Sequence, residues 1–236
     1  ACLFVGSTAF AQVDDNDPGT TLVVAETKEI FVPNGFDDND EVVVVLDGYL
    51  PDSCHKIAHH EAKYDPETGK FQVFQFARRY NVPCLPALVP YYTEVHLGML
   101  PQGTYGIVSK GSNGEVEIGE ANNAGPDDFL YAPVEHARVE RDERTNKYFA
   151  IIQGRFTNTC MEWEEVKVIN SGKSKELLPI IQMADRDDCQ DQEIPFSWMV
   201  DLPNDDAAGR YLLHVRSLNG KSVNHIYSVL DTPDQQ

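Results

Sequence analysis

Short runs of alternating apolar and polar residues follow one another along the whole chain. The clearest is Phe71-Gln72-Val73-Phe74-Gln75-Phe76, and the β-branched run at residues 41–46 is typical of a strand that is buried on both faces or lies in a sandwich core. Turn-forming residues such as those at 65–69 separate the runs, and no segment shows a helical period. The pattern therefore predicts an all-β protein of antiparallel strands.

The predicted strands form two groups that follow the same order. In the first group they are residues 21–26, 29–32, 41–46, 56–64, 70–76, 91–97, 103–109 and 116–118. In the second group they are residues 135–140, 148–153, 161–169, 176–183, 196–202, 211–216 and 222–230. Residues 56–64 and 70–76 are predicted to pair as a hairpin around the turn between them.

One segment of the chain occurs twice. Gly48 follows an apolar strand and precedes a cysteine by six positions, and Gly154 does the same. Further landmarks, including a proline six residues after the second cysteine of each copy, recur at an offset of about 105 residues. A repeat of this length predicts two domains of ordinary size. Both glycines are assigned a structural role.

The repeat sets the predicted domain boundaries. The first domain is predicted at residues 21–120 and the second at 131–232, with a linker of loop composition at 121–130. Residues 13–20 form a polar leader, which we expect to be mobile. Residues 1–12 end in Ala9-Phe10-Ala11 and read as the remnant of a signal peptide, with a ragged apolar terminus as the alternative. A lipid anchor on Cys2 stays open.

Four cysteines remain once Cys2 is set aside. They allow three pairings, of which the repeat selects the two that lie inside single copies, Cys54–Cys84 and Cys160–Cys189. Disulfides in an exported chain indicate an oxidising compartment, so we expect a periplasmic or secreted protein. A metal site on these cysteines is disfavoured, because no C-x-x-C pair is present.

The chain is strongly acidic. Its 38 Asp and Glu against 19 Lys and Arg give a formal net charge of −19. This balance opposes binding to nucleic acid or to an anionic membrane surface, since both need clustered cations. No apolar run after the N-terminus is long enough to span a membrane. Protein or envelope polymer is therefore the expected partner class.

Two tyrosine segments carry a family resemblance. The segment Leu100-Pro101-Gln102-Gly103-Thr104-Tyr105 resembles the Leu-Pro-x-Gly-x-Tyr strand of bacterial immunoglobulin-like domains, and Gly209-Arg210-Tyr211 is similar. In such domains the tyrosine hydroxyl bonds the backbone at the corner of the sandwich. The resemblance implies two tandem immunoglobulin-like antiparallel β-sandwiches with structural roles for Tyr105 and Tyr211.

The resemblance covers about residues 21–230 and is to a broad superfold, because the cysteines do not follow antibody spacing. The segment from Gly48 to Cys54 is also similar to the Gly-x-Leu-Pro-x-x-Cys repeats of exported bacterial proteins. A superfold by itself implies no function.

Clusters of histidine and aspartate give an alternative hypothesis, in which the protein binds a metal ion instead of having no cofactor. His55 and His59 are predicted to lie on one face of a strand and are candidate ligands of a transition metal. His60 is predicted to lie on the other face. Acidic loops are candidates for calcium, which prefers oxygen ligands. The acidic candidates are Asp37, Asp40, Asp185, Asp187 and Asp188. A polar strand face and solvated loops explain the same residues.

Neither the aromatic residues nor the sequence motifs indicate a sugar-binding or catalytic site. Trp163, Trp198, Tyr91, Tyr92 and Phe196 are interpreted as core rather than as a sugar platform. No nucleophile elbow, phosphate loop or dinucleotide motif is present. The leading hypothesis is a non-catalytic binding or structural module of the bacterial cell envelope. A metal-binding envelope protein and a hydrolase with an interdomain site are the alternatives.

Overall fold

The computed structural model describes residues 19–122, 127–203 and 207–230. Every regular element in these ranges is a β-strand, which confirms the all-β prediction. The predicted signal segment with Cys2 lies outside the described residues. Within the described ranges, no helix is long and apolar enough to cross a membrane.

Nine strands build the first unit. They are β1 (Thr20–Val24), β2 (Thr27–Phe31), β3 (Phe36–Asp37), β4 (Val42–Leu50), β5 (His55–Asp65), β6 (Lys70–Tyr80), β7 (Val89–Gly98), β8 (Gly103–Ser109) and β9 (Ser112–Gly119). One sheet has the order β2-β4-β7. The other has the order β1-β6-β8-β9-β3, with β5 also paired to β6. The predicted β5–β6 hairpin is confirmed as an antiparallel pair.

Seven strands build the second unit. They are β10 (Val134–Asp142), β11 (Lys147–Asn158), β12 (Met161–Ser171), β13 (Ser174–Met183), β14 (Asp191–Asp201), β15 (Gly209–Ser217) and β16 (Lys221–Val229). The sheets have the orders β10-β11-β14 and β12-β13-β15-β16. The connections match those of β2 and β4–β9, so the two sandwiches share one topology.

One pairing in each sandwich is parallel. Strand β6 pairs with β8, and β13 pairs with β15, in the same direction. In each case the strand between them crosses to the opposite sheet, so the chain returns to the first sheet running the same way as before. This crossing pattern is invisible in the alternation of single strands, because alternation reports burial and not direction.

Each sandwich encloses its own apolar core. In the first, Val42, Val44 and Leu46 of β4 are fully buried against strands of the facing sheet such as β6. In the second, Ile152 and Leu213 occupy the corresponding centre. The period-two inward positions of the strands supply both cores.

The repeated glycines lie where two backbones and an aromatic ring meet. A Cβ atom on Gly48 would stand 2.5 Å from the carbonyl oxygen of Glu26 and 2.8 Å from the ring of Tyr91. In the second unit, Gly154 has the same relation to the Pro133 carbonyl and the Phe196 ring. Only glycine lets the backbone carbonyl and the aromatic ring approach the strand so closely. The structural role assigned to both glycines therefore has a steric cause.

Both predicted tyrosine corners are present. The hydroxyl of Tyr105 donates to the carbonyl of Pro101 at 2.9 Å. The hydroxyl of Tyr211 donates to the carbonyl of Ala207 at 2.8 Å. In each case the bond reaches four residues upstream, so it fixes the chain where it enters the penultimate strand of the sandwich.

The two sandwiches pack against each other through sheet faces. Phe31 and Val45 of the first unit form a buried apolar cluster with Leu212 of the second, and Ile226 packs on this cluster. Val45 points away from its own core, because it alternates with Val44 and Leu46. Strand β4 is therefore buried on both faces, which is the first of the two interpretations of its β-branched run.

Ion pairs surround this apolar contact. Arg210 bonds Asp47 at 2.6 Å, and Arg216 bonds Asp40 at 3.2 Å and the Gly35 carbonyl at 2.8 Å. Both aspartates are almost fully buried, and burial raises the pKa of each carboxyl despite its arginine. The pairs keep these charges compensated, which fixes how the two faces align.

A histidine is enclosed in the same interface. His214 is fully buried, its ring lies edge-on to Phe36 at 6.2 Å, and its Nδ1 is 2.8 Å from Asn224 Oδ1. Burial, assisted by the charge of Arg216, lowers the pKa of His214 to about 3. The ring is therefore neutral at pH 7. When the pH falls, this histidine gains a proton in the unfolded chain at a higher pH than in the folded protein.

The steric cause of the repeated glycines gives the first prediction. Gly48→Ala and Gly154→Ala should each lower the free energy of unfolding by about 1–3 kcal/mol, because a carbonyl oxygen occupies the space of the new methyl group. Urea unfolding measures the loss. Gly119→Ala is the matched control, since its nearest atom would be 3.7 Å away, and it should change stability by no more than about 0.5 kcal/mol. Equal effects at all three sites would contradict the prediction.

The buried histidine gives the second prediction. Between about pH 6.5 and pH 3 the unfolded state binds a proton at residue 214 and the folded state does not. The free energy of unfolding should therefore contain a component that decreases as the pH falls, by up to about 1.4 kcal/mol per pH unit. Urea unfolding of the wild type and of His214→Gln between pH 7 and pH 5 isolates this component, because the raised carboxyl pKa values act in both proteins.

In His214→Gln the slope with pH should become less steep than in the wild type. His136→Gln, a substitution at an exposed position, should keep the wild-type slope. Identical slopes for the wild type and His214→Gln would show that residue 214 does not stay neutral in the folded protein.

Candidate binding site

A short turn ends β4 and begins β5. Asp52 Oδ1 accepts the backbone N–H of Cys54 at 2.8 Å and contacts His55 Nδ1 at 2.7 Å. The contact with His55 is the main reason that the pKa of Asp52 lies below its usual value. This Asx-type turn holds the backbone that presents Cys54 and Ser53.

The turn fastens the loop that connects β6 to β7. The Ser53 N–H donates to the Leu85 carbonyl at 3.1 Å, and Ser53 Oγ accepts the Leu85 N–H at 2.9 Å. A disulfide joins Cys54 to Cys84, as the repeat predicts. The loop is therefore attached to the turn by one covalent and two hydrogen bonds around a single point.

The second unit uses the same attachment. Asn158 Oδ1 accepts the Cys160 N–H at 2.8 Å, and Thr159 exchanges two hydrogen bonds of 3.0 Å with the backbone of Gln190. The second predicted disulfide, Cys160–Cys189, is also present. Gln190 therefore occupies in the second loop the position that Leu85 occupies in the first.

The surfaces of the two loops differ in chemistry. Residues 81–90 of the first loop are all exposed and carry no charge. Val82 is 58% exposed, and Leu85 and Leu88 are each 71% exposed. The positions that correspond to these three residues, counted from the second cysteine of each disulfide, are Asp187, Gln190 and Glu193.

The comparison of the two loops indicates which residues of the first loop the fold requires. The second unit closes the same loop with the same bonds while placing polar and charged residues at these positions. The three exposed apolar side chains are therefore not required for folding. Clustered apolar residues on a soluble surface mark interaction sites, whereas scattered ones do not. We name Val82, Leu85 and Leu88 the apolar crest.

A groove runs beside the apolar crest at the disulfide end of the first sandwich. Its volume is about 600 Å³, and Leu88 forms part of its wall. Residues from β1 and β2, the end of β4, the turn at Asp52 and His55, and β6 line the remainder. The apolar lining residues are Val23, Val24, Ala25, Leu50, Pro51, Ala77 and Leu88, together with Tyr49, and the cations are Lys28, Arg79 and Lys110.

The acidic metal candidates near the start of β4 have protein partners. Asp40 Oδ2 accepts the Asp37 N–H at 3.1 Å and pairs with Arg216 of the second unit. Asp37 Oδ1 accepts the Asn39 N–H at 3.3 Å. These carboxylates shape a turn and join the two units, a role that the sequence reading missed.

The histidine pair is not arranged as predicted. A bulge in β5 shifts the register between Ile57 and His60, so His60 lies opposite Gln75 on the face that His55 shares with Arg79. His59 instead stacks on Phe76 of the other face, with the ring centres 4.8 Å apart. The prediction that His55 and His59 share a face is wrong, because one inserted residue reverses the alternation.

The remaining metal candidates lie in the exposed loop of the second unit. Asp185, Asp187 and Asp188 are all exposed, and Asp188 is 3.7 Å from Arg186. In the described part of the chain, the one group of three ligand atoms within 4.8 Å of one another is Asp52 with Cys54 and Cys84. The sulfurs of that group are joined in the disulfide and are not thiolate ligands.

The aromatic residues divide between core and surface. Tyr91 is buried and its hydroxyl donates to the Glu26 carbonyl at 2.9 Å, which confirms its core role. Trp163 packs on Phe196 and Trp198, with 5.1 Å between ring centres in both contacts. This cluster closes the open side of the second sandwich between β12 and β14. Tyr92 and Trp198 are exposed, at 47% and 45%, so the interpretation of these two residues as core is wrong.

Comparisons with known proteins agree with the fold. The structure defines a protein of two joined β-sandwiches with a disulfide-held loop at one end of each. A family model described as the ORF11 beta-sandwich domain matches residues 44–119, which extend from β4 to β9 of the first unit. No curated protein and no solved structure matches the chain. The family match supports a β-sandwich over that range and covers about a third of the sequence.

The loop comparison gives the third prediction. Val82→Asp, Leu85→Gln and Leu88→Glu each introduce the residue of the second unit, and each should change the free energy of unfolding by no more than about 0.5 kcal/mol. Urea unfolding measures this change. Leu46→Ala, a fully buried control, should cost about 2–5 kcal/mol. A loss above about 1 kcal/mol for any crest substitution would show that the crest packs structurally.

Proposed function

We propose that this protein is an exported, non-catalytic binding module of the bacterial cell envelope, and that it engages a partner protein through the apolar crest. The observation that carries the proposal is the contrast between the two loops. One loop exposes Val82, Leu85 and Leu88, and its structural twin places Asp, Gln and Glu at the same positions. Because folding does not require the apolar residues, a partner that buries them explains their presence.

The attachment of the loop supports a binding role. The disulfide, the two hydrogen bonds of Ser53 and the prolines at 83 and 86 hold the crest in one conformation. A loop that is already ordered loses less conformational entropy when it binds. The uncharged stretch from Tyr80 to Thr93, in a chain of net charge −19, also reduces the desolvation that a partner must overcome.

The cleft between the units supports a structural rather than a catalytic role for that region. Two ion pairs cross it, since Arg210 pairs with Asp47 and Lys173 pairs with Glu29, each at 2.6 Å. The same side chains hold the two sheets in register. Paired in this way they serve to position the units, which favours the binding module over a hydrolase with an interdomain site.

The disulfides support the proposed location. Each unit closes its loop with a disulfide of nearly the same span, 30 and 29 residues. Such bonds form and persist in oxidising compartments such as the bacterial periplasm or the exterior. Export is also what the signal-like residues 1–12 of the sequence predict.

A photo-reactive amino acid at residue 85 tests the proposed function. The same residue at position 190 is the matched control, because the two positions make equivalent backbone bonds. In the envelope fraction of the source cells, irradiation should join the position-85 protein to one discrete partner protein. The adduct should disappear when Val82→Asp and Leu88→Glu are added. No adduct at position 85, or equal adducts at 85 and 190, would contradict a role for the crest.

A further inference from the structure

We infer that the partner presents a peptide segment with an acidic side chain beside its apolar residues, and that this segment lies in the groove next to the apolar crest. The inference rests on the proposed function and adds the chemistry of the ligand. It depends on the composition of the groove, on the matching positions of the second unit and on the continuity of groove and crest.

The groove has the size and composition of a ligand site. Its volume of about 600 Å³ falls within the usual range of such sites, and most of its lining is apolar. Ala25, Leu50 and Ala77 at its base belong to a small buried cluster at this end of the sandwich. The base is therefore preformed, and an apolar side chain can enter without rearrangement of the core.

The charged residues of the groove favour an anion. Lys28, Arg79 and Lys110 line it, whereas Glu26 and Asp52 are its acidic members. Asp52 is occupied by His55 and by the Cys54 N–H. Among the described residues, no carboxylate oxygen lies within 4.0 Å of the three cations, although Lys110 Nζ donates to the Val24 carbonyl at 2.9 Å.

This excess of cations runs against the composition of the whole chain. Acidic residues outnumber basic ones by two to one in the sequence, yet basic residues outnumber acidic ones in the groove. Cations that have no carboxylate within 4.0 Å among the described residues, set beside apolar surface, give a complementary ligand both attraction and orientation. A ligand that carries a carboxylate beside apolar groups matches both parts of the lining. Its carboxylate reaches the cations while its apolar groups fill the base.

The second unit shows that the fold does not impose two of these cations, Lys28 and Arg79. Thr27 pairs with Gly48, and Val134 pairs with Gly154, so Glu135 corresponds to Lys28. The Tyr80 N–H bonds the Cys54 carbonyl, and the Ala184 N–H bonds that of Cys160, so Met183 corresponds to Arg79. Both cations are replaced in the other copy, as are all three crest residues.

The continuity of groove and crest selects a peptide over a small anion. Leu88 belongs to both surfaces, whereas Val82 and Leu85 lie outside the groove. A ligand that covers the crest and also fills the groove must extend across both, which a chain of several residues does. A membrane surface fits less well, because the chain as a whole is repelled by anionic lipid.

A displayed library of random 12-residue peptides tests the inference on the full chain. Peptides are selected on the wild type after removal of those that bind the variant Val82→Asp/Leu85→Gln/Leu88→Glu. The enriched peptides should combine Asp or Glu with large apolar residues. Fluorescence anisotropy of the enriched peptides should show an affinity about tenfold lower for Lys28→Glu than for the wild type, and the affinity should decrease with added salt.

Lys221→Glu is the matched control, because it makes the same charge change at an exposed position outside the groove. It should leave the affinity within about twofold of the wild type, because Lys221 does not line the groove and exposed charges are screened by salt. Arg79→Met, which installs the residue of the second unit, should weaken binding in the same direction as Lys28→Glu.

The possible outcomes separate the inference from the proposed function. Crest-dependent peptides without acidic residues, or with equal affinity for Lys28→Glu and Lys221→Glu, would overturn the inference and leave the binding module in place. The absence of crest-dependent peptides overturns the inference. If vesicles of phosphatidylethanolamine and phosphatidylglycerol then bind the wild type but not the crest variant, the ligand is a membrane and not a protein.

Discussion

Burial of β4 on both of its faces is the constraint on which the rest of the structure depends. Val42, Val44 and Leu46 hold the first sandwich together, while Val45 and Asp47 on the opposite face meet the second unit. A strand with no solvated face has its register fixed from two sides, because a shift of one residue would expose an apolar row and bury the wrong one. The fixed register places Gly48 under Tyr91 and delivers the chain to the turn that ends at Cys54. The disulfide, the loop and the groove all follow from that position.

The repeat made much of this architecture predictable. Two copies of one pattern were enough to pair four cysteines correctly, to locate both tyrosine corners and to assign Gly48 and Gly154 a structural role. Each of these features involves residues of a single copy, so the sequence pattern of that copy is enough to predict it. The contact between the copies was not predictable in the same way, because Asp40, Asp47 and Arg216 look like ordinary surface charges until the sheets that carry them face each other. The histidine faces were predicted wrongly for a related reason. A single inserted residue in β5 reverses the alternation, and no local property of residues 57–60 announces it.

The candidate site was also absent from the sequence reading, although a signal for it exists. In a chain with 38 acidic residues, the 14 positions from Tyr80 to Thr93 carry no charge. Three prolines, Pro83, Pro86 and Pro90, argue against a buried strand over most of this stretch, and only its last part belongs to strand β7. The structure shows that its first half is an exposed loop. Composition can find such a stretch, but only the fold shows whether it faces the core or the solvent.

The shared strand order of the two sandwiches gives this chain an internal comparison that a single domain lacks. Positions where the copies agree, such as the glycines, the cysteines and the residues that bond the loop, are explained by the fold. Positions where they differ in kind, such as Leu88 against Glu193 or Lys28 against Glu135, are free of that requirement and open to selection for binding. Differences in kind also occur elsewhere, for example where Gly106 pairs with Glu115 in the first unit and Leu212 pairs with Ile226 in the second, at the contact between the units. Val82, Leu85 and Leu88 are distinguished from such positions by their exposure, because neither the core nor the contact between the units accounts for apolar side chains there.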